Sequence, residues 1–253
     1  SGDARFAALT HTHAIADTTG LQAALDSKVG TDIIETMFST CFMSYSDFAY
    51  AAAPLGMNTV LMSLGTIAQA NVSGHPGATT FALNATAANA SGIGTSRVSG
   101  ITGLNDIQIG SGKALFGCLL QTSATLSTVG NPYTLLFGYV NSSQTTTAGV
   151  YFRYDQTQSV WQAVCKTASV ETVVNTDITV ATSTTYRLRI EVNSAGSQVL
   201  FYIDGVLKAT ITTNIPTGTS NRVHGLASIV RLLTGTTDSS VTLMRVYWIV
   251  QDP

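Results

Sequence analysis

Tyr186–Thr212 reads YRLRIEVNSAGSQVLFYIDGVLKATIT. Tyr186, Leu188, Ile190 and Val192 alternate with Arg187, Arg189 and Glu191, the period-2 pattern of a strand with one face in a core and the other toward solvent or a neighbour. Val199, Phe201 and Ile203 repeat it. Between the runs lie Asn193–Ser197 and the pair Asp204-Gly205. Asp-Gly supplies the positive φ angles of a tight hairpin turn. Three antiparallel strands joined by short turns follow, and this meander sets the class of the whole chain.

Outward from it the signal persists. TMFSTCFM, ALFGCLLQT, YTLLFGYV, GVYFRY, SVWQAVCK and VTLMRVYWIV are rich in β-branched and aromatic residues and bounded by Gly, Asn, Asp and Ser, which brings the expectation to about nine or ten strands. DQTQ after Tyr154 predicts a further hairpin. No helical pattern alternates with the strands, so a parallel α/β sheet is disfavoured and an antiparallel β-sandwich is expected. From Ala68 to Gly112 the chain is mostly Ala, Asn, Ser, Thr and Gly, a composition of loops and irregular strands.

The N-terminal stretch differs. Thr19 and Gln22 have capping-box spacing, Leu21, Leu25 and Val29 recur every fourth residue, and Gly30 is a stop, so a short amphipathic helix is predicted over 19–30. Alone in water it is marginal, and it needs either the following domain or copies of itself. The boundaries read as 1–32 for this segment and 33–253 for the β domain. The chain starts SGDARF, without Met, and is expected to be the distal part of a longer polypeptide.

Composition narrows the function classes. Charged residues are 10% of the 253, well under the roughly one quarter of ordinary soluble domains, and the excess apolar surface is expected to enter subunit contacts. No apolar run approaches the ~20 residues of a membrane-spanning helix. Net charge is −2, and the twelve Lys and Arg are scattered in sequence, which disfavours nucleic acid. Cys41, Cys118 and Cys165 are odd in number and lack C-x-x-C spacing, so they read as buried free thiols. GSGKA at 110–114 lacks the first Gly and the hydroxyl of a phosphate loop and reads as a turn. A glycosidase needs two carboxylates about 5 to 9.5 Å apart. Only Glu35, Glu171 and Glu191 are glutamates, none in an acidic cluster, and no G-x-S-x-G elbow occurs.

Candidate sites remain. His11-Thr12-His13 has metal-ligand character, since residues two apart in an extended segment project to one side. Three chains would offer six imidazoles, a set suited to Fe or Ni; the alternative is a solvated histidine linker. His75 and His224 read as structural. Tyr151, Trp161 and Tyr202 are candidates to stack on sugar rings, with Arg153 and Arg189 beside them at outward positions. The competing readings are core aromatics and a solvated sheet face.

HTHAIADTTGLQAALDSK, His11–Lys28, resembles the H-x-H…I-x-D-x-T-G-L-Q-x-A-L-x-x-K segment of bacteriophage tail-fibre and other virion appendage proteins. Thr18 stands where Val is usual. The resemblance implies a fibrous homotrimer with Ile15, Leu21 and Leu25 as trimer contacts and a metal on the threefold axis at His11 and His13. GVYFRYDQTQSVWQAVCK, the Tyr186–Thr212 meander and HPGATTFALNATAANASGIG resemble phage structural proteins with a concanavalin-A-like jelly roll, the fold of lectins and glucanases. The E-x-D-x-E strand of the glucanases is missing. Together these imply a non-enzymatic fibre or spike tip on the virion, attached through upstream fibre proteins and binding a host-surface glycan. A head fibre or capsid decoration protein and a capsule depolymerase are the alternatives.

Overall fold

The computed structural model describes residues 41–47, 58–62, 66–72, 75–85, 89–94, 107–142, 146–231 and 233–251. The chain divides into two units, Ser1–Cys41 and Phe42–Pro253, and the second holds nearly all of the described residues. The expected helix 19–30 and the calls on His11, His13, Ile15, Leu21, Leu25 and Glu35 lie outside them.

The described residues are almost entirely β. The strands are β1 Cys41–Asp47, β2 Asn58–Met62, β3 Thr66–Val72, β4 His75–Leu83, β5 Asn89–Gly94, β6 Ala114–Thr122, β7 Thr134–Val140, β8 Gly149–Tyr154, β9 Val160–Thr167, β10 Val170–Thr179, β11 Thr185–Val192, β12 Val199–Ile203, β13 Val206–Ile211, β14 His224–Arg231 and β15 Ser239–Gln251. They form two antiparallel sheets. The first runs β13-β12-β11-β6-β15-β4-β3, with β1 also on β15; the second runs β10-β9-β8-β7-β14-β5-β2. The predicted antiparallel sandwich is the observed architecture.

Its interior follows from alternation. Phe116, Leu188, Ile190, Phe201 and Trp248 of the first sheet meet Phe137, Tyr139, Phe152, Trp161 and Ala163 of the second in one cluster of fully buried side chains. Trp161 lies edge-on to Tyr186, with ring centres 5.6 Å apart, and to Phe152, 6.5 Å apart. Such edge-to-face pairs contribute about 0.5 to 1.5 kcal/mol each beyond area burial. Cys118 and Cys165 are buried free thiols, as their spacing predicted. Along one side the sheets are tied edge to edge. Lys208 of β13 pairs with Asp177 of β10 at 3.0 Å, and Thr172 and Thr213 share a hydrogen bond of 2.8 Å.

All three predicted hairpins form. Asp204 and Gly205 adopt φ of 52° and 84° in the β12–β13 turn. In the β11–β12 turn the Asn193 side chain accepts from the Ser197 and Gln198 amides, and in the β8–β9 turn Asp155 accepts from the Thr157 amide. The strand count is a correction, since fifteen strands stand among the described residues against nine or ten expected. β10 was missed because it is a polar edge strand, largely exposed. β14 is buried at every position, so it carries no alternation to read. β4, β5 and most of β3 fall in the stretch expected to hold loops and irregular strands, where the sequence assigns no individual strand. Small residues serve close approach there, and at Gly92 a Cβ would collide with Ala227 and Ser228 of β14.

Candidate functional site

Both sheets present outward side chains, and the five ligand candidates divide between them. On the second sheet Tyr151 is 2% exposed and packs with Leu136, Val140, Val164, Leu226 and Val230 in a second apolar cluster. Burial pushes its phenol up to about 12, with Arg153 opposing. Arg153 donates from Nε to Gln162 at 2.8 Å and pairs with Glu171 at 3.2 Å and with Asp155 at 3.8 Å; Lys166 reaches Glu171 at 3.7 Å. Arg153 is therefore a member of an ion-pair network. Trp161 is fully buried between the sheets and offers no ring face to a ligand.

Arg189 and Tyr202 are brought together on the outer face of the first sheet. β11 and β12 pair them directly, and the guanidinium carbon lies 4.0 Å from the centre of the Tyr202 ring, a cation–π contact. Glu191 holds the same guanidinium at 3.1 Å and accepts from the Tyr202 hydroxyl at 3.5 Å. Charge, ring and hydroxyl are thus fixed relative to one another before any ligand arrives.

Across β11–β6–β15 the register adds what sequence reading missed. Arg189 stands opposite Gly117, which stands opposite Tyr247; Arg187 stands opposite Leu119, which stands opposite Arg245. The ring of Tyr247 lies against Gly117, where a Cβ would collide with the phenol. Its phenol is held above the usual value by burial, while the nearby Arg189 pulls it down. These residues surround an open groove of about 520 Å³ lined in part by Leu119, Arg187, Arg189, Gly205, Arg245 and Tyr247.

A bulge makes this face. Val241 and Leu243 point into the core, and unbroken alternation would send Arg245 and Tyr247 after them. The register of β15 on β6 shifts between Leu243 and Arg245, and beyond Met244 it is Val246 and Trp248 that are buried. One extra residue re-aims a strand's side chains. Trp248 then settles against Gly225, where a Cβ would strike the indole, and donates to the Gly138 carbonyl at 3.2 Å.

Among the described residues, four carboxylates lie on the outer faces of the two sheets or their turns. Glu191 and Glu171 lie on the outer faces of opposite sheets. Next to the groove residue Gly205, Asp204 accepts from the Arg187 amide. Asp155 and Glu171 both pair with Arg153, and Glu171 with Lys166 as well. Among the described residues no three His, Cys, Asp or Glu side chains are grouped as metal ligands.

With this geometry in place, the likenesses to known proteins can be stated. The family described as SO2946-like, C-terminal domain, matches residues 119–244. No curated protein sequence matches the chain. Among solved structures, the protein of unknown function SO2946 from Shewanella oneidensis MR-1 is similar at TM-score 0.61 and 13% identity, over 94% of this chain and 95% of that one. Endo-1,3-beta-glucanase from Streptomyces sioyaensis is similar at 0.56 and 13%, over 85% and 98%. The CBM2 module of the evolved Dit of Lactobacillus casei BL23 phage J-1 is similar at 0.50 and 13%, over 85% and 97%. At these identities the likeness is one of fold, and the fold is the β-sandwich shared by glucanases and carbohydrate-binding modules.

Proposed function

We propose that this chain is the distal part of a homotrimeric phage fibre or spike, carried on the virion by upstream fibre proteins, and that it binds a host-surface glycan without cleaving it. The observation that carries the binding half is an open groove lined by Arg189 and Tyr247, with Tyr202 stacked on Arg189 on the same face of the sheet. Sugar rings present C–H faces that pack on aromatic rings and hydroxyls that need fixed donors and acceptors. The face supplies both, and Glu191 holds the donor in place. The fold likeness to a phage Dit carbohydrate-binding module and to a glucanase supports the glycan reading. The virion and trimer half rests on the resemblance of His11–Lys28 to fibre segments. Absence of cleavage is supported by the missing E-x-D-x-E strand.

The test is binding of the protein to host cells and to their extracted polysaccharide, with reducing ends measured on the same samples. Retention without new reducing ends is expected, and Tyr202→Ala is expected to weaken it about tenfold, the cost of a central contact. Release of reducing ends would replace this reading by the depolymerase. Failure to bind cells would replace it by the decoration protein.

A further inference from the structure

The ring of Tyr247 does not stand over its own strand. A Cβ at Gly117 would collide with Cζ, Oη and Cε1 of this tyrosine, so it is the phenol end of the ring that rests on the bare backbone of β6. The side chain thus reaches from β15 across to the neighbouring strand, about 4.8 Å away, and its hydroxyl ends toward β11. There Arg189 stands opposite Gly117, and Glu191 follows two residues along on the same face. Burial raises the pKa of this phenol most, and Arg189 and Glu191 also act on it, as that placement requires. Bonding capacity is left over at this spot. The Arg189 and Glu191 side chains are 39% and 36% exposed and pair at 3.1 Å through Nη1. Among the described residues, Nε and Nη2 of Arg189 and the hydroxyl of Tyr247 have no hydrogen-bond partner.

Resting on the glycan reading above, we propose that Tyr247, seated on Gly117, is the platform for one sugar ring, and that Arg189 and Glu191 at its far end read two adjacent hydroxyls of that ring. A guanidinium only donates and a carboxylate only accepts, whereas a hydroxyl does both. Neighbouring hydroxyls therefore match a donor and an acceptor fixed side by side, the first accepting from Arg189 and the second donating to Glu191. Tyr202 keeps the guanidinium in place by stacking on it. Gly117 is a positioning residue that acts through Tyr247. The atoms a Cβ would strike are the far end of a side chain that can change rotamer, so a larger residue at 117 moves the ring out of the groove and leaves the strand where it is.

The test is retention on extracted host polysaccharide, used intact and after periodate, which splits the bond between carbons bearing adjacent hydroxyls. The native chain should be held by the intact material and at least tenfold less by the oxidised one. Tyr247→Ala should weaken retention about tenfold, and Tyr247→Phe, which keeps the ring, only a few-fold. Gly117→Ala should weaken it as much as Tyr247→Ala. The double variant should be no weaker than Tyr247→Ala alone, a non-additivity produced by a residue that works only through that ring. Thermal unfolding of Gly117→Ala close to that of the native chain is expected. Early unfolding would show that the strand gives way instead of the ring and would overturn the role of Gly117, with Tyr247→Ala still deciding the platform. Undiminished retention of Tyr247→Ala, equal retention on oxidised polysaccharide, or additive losses in the double variant would overturn the proposal and leave the glycan reading standing. Failure of the native chain to bind either material would overturn both.

Discussion

At the residue scale, position on a face decides what an aromatic side chain does. Trp161 and Tyr202 look alike in sequence, each in a strand of β-branched neighbours. One is enclosed by Phe137, Phe152, Tyr154 and Tyr186 and the other carries Arg189 on its ring. The buried phenols have a consequence for pH. Tyr151 is pushed up to about 12, and burial also raises Tyr133 and Tyr139, against about 10 in the unfolded chain. A raised pKa means that the folded state keeps its protons longer, so the stabilisation is whole below pH 10 and is lost as pH rises toward and through 12. The urea midpoint should therefore be flat from pH 7 to 9 and fall by pH 11.5, with phenolate absorbance appearing as the fold is lost. A midpoint unchanged at pH 11.5 would show that these rings ionise freely in the native state.

At the element scale, turns were legible where their chemistry is conventional and hidden where it is not. Asp204-Gly205 announced its hairpin. Ala168-Ser169 did not, although it joins β9 to β10 by a two-residue turn with both residues at positive φ, 46° and 69°. Residues with a Cβ lose about 1 to 2 kcal/mol each in this region, and Asn-Gly is the pair such a turn favours. Replacing Ala168-Ser169 with Asn-Gly should raise stability by about 1 kcal/mol, read as a higher denaturant midpoint at unchanged slope. A lower midpoint would mean that the Ala and Ser side chains make contacts worth more than the strain.

At the scale of the whole molecule, low charge and the N-terminal stripe are the grounds for the proposed assembly. The proposed trimer places three copies of Leu21 and Leu25 in one core, so Leu21→Asp with Leu25→Asp should force six carboxylates together and dissociate it. Sedimentation should give a trimer for the native chain at micromolar concentration and a smaller species for the variant. A monomeric native chain would end the proposal, and a variant that stays trimeric would move the contact to the β domain. The same preparation tests the proposed Fe or Ni at His11 and His13. About one metal per three chains is expected, released as pH falls below about 6.5 because ligation needs neutral imidazole. Less metal than that leaves a solvated histidine linker.

The sequence by itself determined the class of fold, three of its hairpins and the outward aim of Arg187, Arg189 and Glu191, because each of these is written in neighbours two to five residues apart. The groove was not legible in that way. Arg245 and Tyr247 reach it through a bulge at Met244 that reverses the alternation of β15, and Gly117 and Leu119 reach it through strand pairings that join residues about 70 and 125 positions apart. Side-chain direction in a strand is local physics, but which strands lie side by side, and in which register, is set by the closing of the whole core. Only the tertiary structure therefore put three arginines and two tyrosines on one face.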